Sequence, residues 1–153
     1  MTVRPAGFTL VEVLVALVVL AVGMLGVGIM LVSALQSSRM ALQRTAAVML
    51  AADLGDRIRA NRAGGAAYAV AGGSMLRAPA TACTAASPCN AAEVAAVELY
   101  EWQQAVLLAL PDARMTVSAT LDPATAAREH TIEISWAQSA GGAPARLSLL
   151  VQT

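Results

Sequence analysis

Residues 7–35 read GFTLVEVLVALVVLAVGMLGVGIMLVSAL. From Val13 to Ala34 the run carries no charge and a single polar side chain, Ser33. At 1.5 Å rise per residue it makes a helix of roughly 33 Å, enough to cross a hydrocarbon core of about 30 Å. No proline interrupts it. Glu12 is out of place, because it sits inside the apolar run five residues after Gly7. A carboxylate at membrane depth costs on the order of 3 kcal/mol or more, so it calls for a partner.

An ordinary secretory signal has an apolar region of about 7 to 15 residues and a small-x-small cleavage site, for which Val32-Ser33-Ala34 could pass. The run here is too long for that, and Glu12 would impair it. A plain single-span anchor explains the length but not the glutamate. Gly7-Phe8-Thr9-Leu10-Val11-Glu12, behind a leader whose only charged side chain is Arg4, resembles the N-terminus of type IV prepilins and pseudopilins. The resemblance implies cleavage between Gly7 and Phe8 by a membrane prepilin peptidase, and methylation of the new amine of Phe8. It also implies that Glu12 is the contact through which subunits assemble.

The chain has 153 residues, so one anchor and one small domain are expected. Hydrophobic residues make up 58%, much of it in the N-terminal run. Ten arginines balance ten acids, with no lysine and no basic stripe, which gives no support to a nucleic-acid surface. A short basic leader before a span keeps the N-terminus cytoplasmic and exports the rest. Cys83 and Cys89 would then lie in an oxidising compartment, and their C-x5-C spacing reads as a local disulfide worth roughly 2 kcal/mol. Free thiols remain the alternative. A metal site needs three or four ligands, and His130 is the only histidine.

Beyond Leu35 the helical pattern becomes amphipathic. Leu35, Leu42 and Met49 recur at seven, and Ala46, Leu50, Leu54 and Ile58 at four, which predicts one buried stripe on a helix running from about Thr9 to Arg62. Asp53 and Arg57, and Asp56 and Arg59, are spaced to pair along it. Gly23, Gly26 and Gly28 lie in the apolar half, where they could loosen the helix or let neighbouring helices approach. Gly64-Gly65 is expected to end the helix. A small-residued irregular loop then runs to Ala92, pinned by the cysteine bridge.

Glu93 to Leu110 reads as a second helix stopped by Pro111-Asp112, with Trp102 half buried. Met115–Leu121, His130–Ala137 and Ala145–Gln152 alternate as strands, with turns at Asp122-Pro123 and Gly141-Gly142. Trp136 belongs to the core by periodicity, and a strand-end His130 is expected in solvent. The expected fold is α+β, a long helix laid on a three-stranded antiparallel meander, with an extra helix and an irregular loop.

Leu50 to Asn61, with Glu98-Leu99-Tyr100-Glu101-Trp102 and Ile132-x-Ile134-x-Trp136, is similar to PilV-type minor pilins. On that resemblance residues 1–7 are a leader and 8–35 the transmembrane and assembly half of the helix. Residues 36–62 are its amphipathic half, and 63–153 a periplasmic head. The expected partners are other minor and major pilins, prepilin peptidase and inner-membrane lipid before assembly, with the fibre or its tip as destination. No catalytic constellation, cofactor, metal, nucleic acid or small-molecule substrate is expected. The alternatives are a minor pseudopilin of a type II secretion system, or a membrane-anchored binding domain that never polymerises. The latter has no use for Glu12.

Overall fold

The computed structural model describes residues 7, 9–79, 83–122, 127–138 and 142–153. Residues 1–6 of the leader, Phe8, Pro123 and Gly141 lie outside the described residues. Helix α1 spans Leu10–Ala60. Thr9 starts it, because its hydroxyl and carbonyl oxygens accept from the Glu12 amide at 3.3 and 3.1 Å and satisfy a donor with no helical partner. The chain divides into two compact units, Met1–Arg39 and Met40–Thr153.

In the first unit, an 18-residue window of the helix has a mean hydropathy of 2.8 and none of it is buried. Leu14, Leu17, Leu25 and Leu31 are all more than half exposed. Apolar surface this continuous requires a cover of lipid or other helices. The three glycines sit in unbroken helix, and a side chain there would meet nothing in this chain.

The second unit has its own core. Strands β1 (Arg114–Leu121), β2 (Arg128–Trp136) and β3 (Ala145–Gln152) form an antiparallel sheet in that order. The ladder pairs Val117 with Ile132 and Ile132 with Leu149. Ala47, Ala51, Leu54 and Ile58 of α1 are buried with Met115, Val117, Ile132, Ile134, Trp136 and Val151 of the sheet. Small residues allow the close approach. A Cβ on Gly55 would stand 3.1 Å from Val151 Cγ2. Helix α2 (Ala91–Ala109) adds Leu99, Trp102 and Val106. Asn90 and Glu93 close a capping box at its start, which explains why it begins two residues before the expected Glu93.

Several expectations are corrected. Leu42 and Met49 are 67% and 66% exposed, so the seven-residue stripe is not part of the core. Met49 is two residues from both Ala47 and Ala51, hence about 200° round the helix from either. Trp102 is 1% exposed, not half buried, and its indole N–H donates to the Leu50 carbonyl at 2.8 Å. Gly64-Gly65 does not open an irregular loop. It lies inside a 3₁₀ segment, Arg62–Tyr68, where Gly65 takes φ +25°. A side chain there would be strained, and its Cβ would meet Arg128 Nε at 3.0 Å.

The segment that follows supplies core of its own. Tyr68 and Val70 are buried, and Val70 pairs with Val117 on the outer edge of β1. Buried Gln103 ties it to α2, accepting from the Leu76 amide and donating to the Ser74 carbonyl, each at 2.7 Å. Cys83 and Cys89 are joined by a disulfide. His130 is fully buried rather than solvated. Its Nε2–H donates to the Gly65 carbonyl at 3.1 Å, and Nδ1 has no hydrogen-bond partner among the described residues.

Candidate assembly site

Two clusters carry the polar chemistry that the sequence singled out. The first lies at the start of α1. Gly7 is exposed, and a side chain there would meet nothing. Glu12 occupies the third helical position, where an acid gains about 0.3–1 kcal/mol from the helix dipole. That gain falls short of the roughly 3 kcal/mol that hydrocarbon burial would cost. The Glu12 carboxylate has no hydrogen-bond or ionic partner among the described residues. Around it lie Val13, Ala16, Leu17 and Leu20, which line a shallow apolar groove with it. The arrangement is a lone anion on an apolar helix, able to take a cation supplied from elsewhere.

The second cluster lies at the far end of α1. Arg57 bridges Asp53 at 3.0 Å and Glu101 of α2 at 3.3 Å. Burial works against the Arg57 cation, but the two carboxylates outweigh it and hold its pKa above the usual arginine value. Arg59 pairs with Asp56 at 2.9 Å. Asn61 caps the 3₁₀ segment through the Gly64 amide, and its Nδ2 donates to the Ala91 carbonyl at 2.8 Å and to the Tyr68 hydroxyl at 3.1 Å. The Tyr68 hydroxyl in turn donates to Glu98. The helix-end motif is thus a latch that joins α1, the 3₁₀ segment and α2.

Burial and the Glu98 carboxylate push the Tyr68 pKa up to about 12, so it holds its proton at neutral pH and does no acid-base work there. A tyrosine whose pKa rises on folding favours the fold while it is protonated. That contribution is complete below pH 10 and is lost as pH climbs through 10 to 12. Tyr68→Phe should therefore flatten the alkaline loss of stability, read from urea midpoints between pH 9 and 12. An unchanged slope would contradict it.

No group of three or more metal-ligating side chains occurs among the described residues. Among the described residues, the hydrogen-bond partner of the His130 ring is the Gly65 carbonyl. The sequence reading missed Tyr68 and Gln103, although a glutamine at a core-facing position of α2 was a usable signal.

The described residues thus combine an exposed apolar helix, long enough to cross a membrane, with a small α+β unit. Residues 4–28 match the family described as prokaryotic N-terminal methylation motif, and residues 30–100 match Tt1218-like, type IV pilin Tt1218. Comparison with the curated proteins and with the solved structures returned no match. Residues 30–100 are thus similar to a type IV pilin and residues 4–28 to a prokaryotic N-terminal methylation motif, on a chain that lays a long helix on a three-stranded sheet.

Proposed function

We propose that this chain is a type IV pilin, a minor subunit of PilV type, cut by prepilin peptidase between Gly7 and Phe8, methylated on Phe8, and taken into a type IV pilus. The helix-end residues Leu50 to Asn61 support the PilV-type reading over a secretion pseudopilin. In this reading residues 1–7 are removed, 8–35 span the inner membrane before assembly, and 36–153 stand in the periplasm with the Cys83–Cys89 bridge.

One observation carries the proposal: a Glu12 carboxylate without a partner among the described residues, on the exposed apolar half of α1. Cleavage frees an α-amine at Phe8, which stays cationic near neutral pH even when methylated. The amine of a neighbouring subunit then meets Glu12 in the packed bundle of helices. A low dielectric strengthens such a pair and penalises either charge left alone, so it rewards correct axial register more than it adds net affinity.

Glu12→Ala should leave cleavage and membrane insertion intact while depleting the subunit from sheared fibres. Glu12→Gln should behave nearly the same, because charge rather than size is the cause. Quantifying the subunit in sheared fibres checks both variants. Wild-type amounts in both would defeat the pairing.

A further inference from the structure

The two outer strands of the sheet differ along their free edges. On β1 the outward edge is partly taken, because Val117 exchanges both backbone hydrogen bonds with Val70, at 2.8 and 3.0 Å. On β3 it is open. The Arg128 and Thr153 backbones exchange two bonds, at 3.1 and 2.9 Å, and in an antiparallel ladder such pairs recur at every second residue. Leu147, Leu149 and Val151 therefore turn their amides and carbonyls towards β2. Arg146, Ser148, Leu150 and Gln152 turn theirs away from the sheet. All four are exposed, and their outward groups have no hydrogen-bond partner among the described residues. Natural sheets blunt such an edge with lysine, proline, a bulge or a short strand. Strand β3 runs for 8 residues without lysine or proline, and its register with β2 is unbroken. On its core face Leu147 and Leu149 are only half-buried, whereas Ile134 and Ile132 opposite them on β2 are fully buried. On its other face Leu150 is 52% exposed, and Arg146 has no ion-pair partner among the described residues.

We propose that the β3 edge takes an extended peptide segment of a partner protein as a fourth, antiparallel strand. Backbone chemistry chooses the class of partner. Amides and carbonyls alternate along the edge and repeat every two residues, roughly 7 Å. Another extended polypeptide carries the matching array, and a sugar, lipid or nucleic-acid chain does not. Side chains choose the kind of sequence. Residues set opposite Leu147, Leu149 and Val151 are apolar and close the open side of the core. Residues on the other face are polar, with a carboxylate opposite Arg146 as its bidentate partner. The proposal rests on the Met40–Thr153 unit alone and does not depend on the assembly role of Glu12.

The test uses the full chain in neutral detergent and the peptide acetyl-Thr-Val-Thr-Val-Thr-Val-Glu-amide, whose glutamate falls opposite Arg146 when its valines face Leu147, Leu149 and Val151. In this register the threonine amides point at β3 and the valine amides point away. Binding should slow hydrogen exchange at the Arg146, Ser148, Leu150 and Gln152 amides by about tenfold or more, and change Leu147 and Leu149 much less because β2 already holds them. N-methylation of the threonines should abolish binding, and N-methylation of the valines should leave it. Ser148→Pro removes an outward N–H without touching the ladder to β2, so it should keep the fold and abolish binding. Arg146→Glu should weaken this peptide several-fold and favour one that ends in lysine. No binding of the unmethylated peptide, equal binding of the two methylated forms, or protection confined to residues outside β3 would each overturn the proposal. So would protection of the four outward amides without peptide, which would assign the edge to a second copy of the chain.

Discussion

Gly7→Arg is expected to abolish removal of the leader, so that the chain accumulates in membranes at full length and is absent from fibres. The fold gives the variant its force. Gly7 lies before the first turn of α1, is exposed, and has open space where a side chain would project. Nothing among the described residues requires glycine there, so a loss of processing points to an enzyme that reads this position. Gly7→Val should fail in the same way through bulk alone. The mass of membrane-extracted protein reads the outcome. Trimming as efficient as wild type would show that the resemblance of the leader to that of prepilins does not extend to its processing.

The largest loss of stability is expected at Trp102. Its side chain is buried among α1, α2 and the sheet, and its indole N–H is satisfied by the Leu50 carbonyl. Trp102→Ala should destabilise the head by about 3–5 kcal/mol through lost burial and the cavity left behind. Against a total of roughly 5–15 kcal/mol for a domain, this brings the head close to its unfolding limit. Trp102→Phe keeps most of the apolar volume and gives up the hydrogen bond and part of the ring, so it should lose markedly less. Near-ultraviolet circular dichroism of the full chain during denaturant titration separates the two. A Trp102→Ala loss below about 1 kcal/mol would mean that α2 is peripheral to the core.

The elements legible in the sequence were those governed by local pattern. Alternation gave all three strands to within two residues, and β3 (Ala145–Gln152) at the expected boundaries. The continuous apolar run gave the exposed half of α1, and the Asp53–Arg57 and Asp56–Arg59 pairs follow from helical spacing. The failures share a physical cause, which is that distant contacts override local character. His130 has polar neighbours on its strand, yet a carbonyl from Gly65 reaches it across 65 positions of sequence. Tyr68 and Val70 sit among alanines and glycines, and only the edge of β1 and the Asn61–Glu98 network make them core. Leu42 and Met49 were assigned to the core by a seven-residue spacing, although the buried line runs through Ala47, Ala51, Leu54 and Ile58. Small alanines carried that line, and hydrophobic size drew the eye to the wrong face.

The N-terminal site was legible by resemblance more than by physics. Composition and length supplied a span, and burial cost marked Glu12 as needing a partner. A side chain at Gly7 would meet nothing within 4 Å among the described residues, and the proposed role of the Gly7–Phe8 junction is to meet an enzyme, which a fold alone does not reveal. The most direct test of the account is the intact mass of the wild-type chain recovered from sheared fibres. The account predicts a chain that begins at Phe8, carries one methyl group on its amine, and retains the Cys83–Cys89 bridge. A chain found only in membranes and still beginning at Met1 would contradict it.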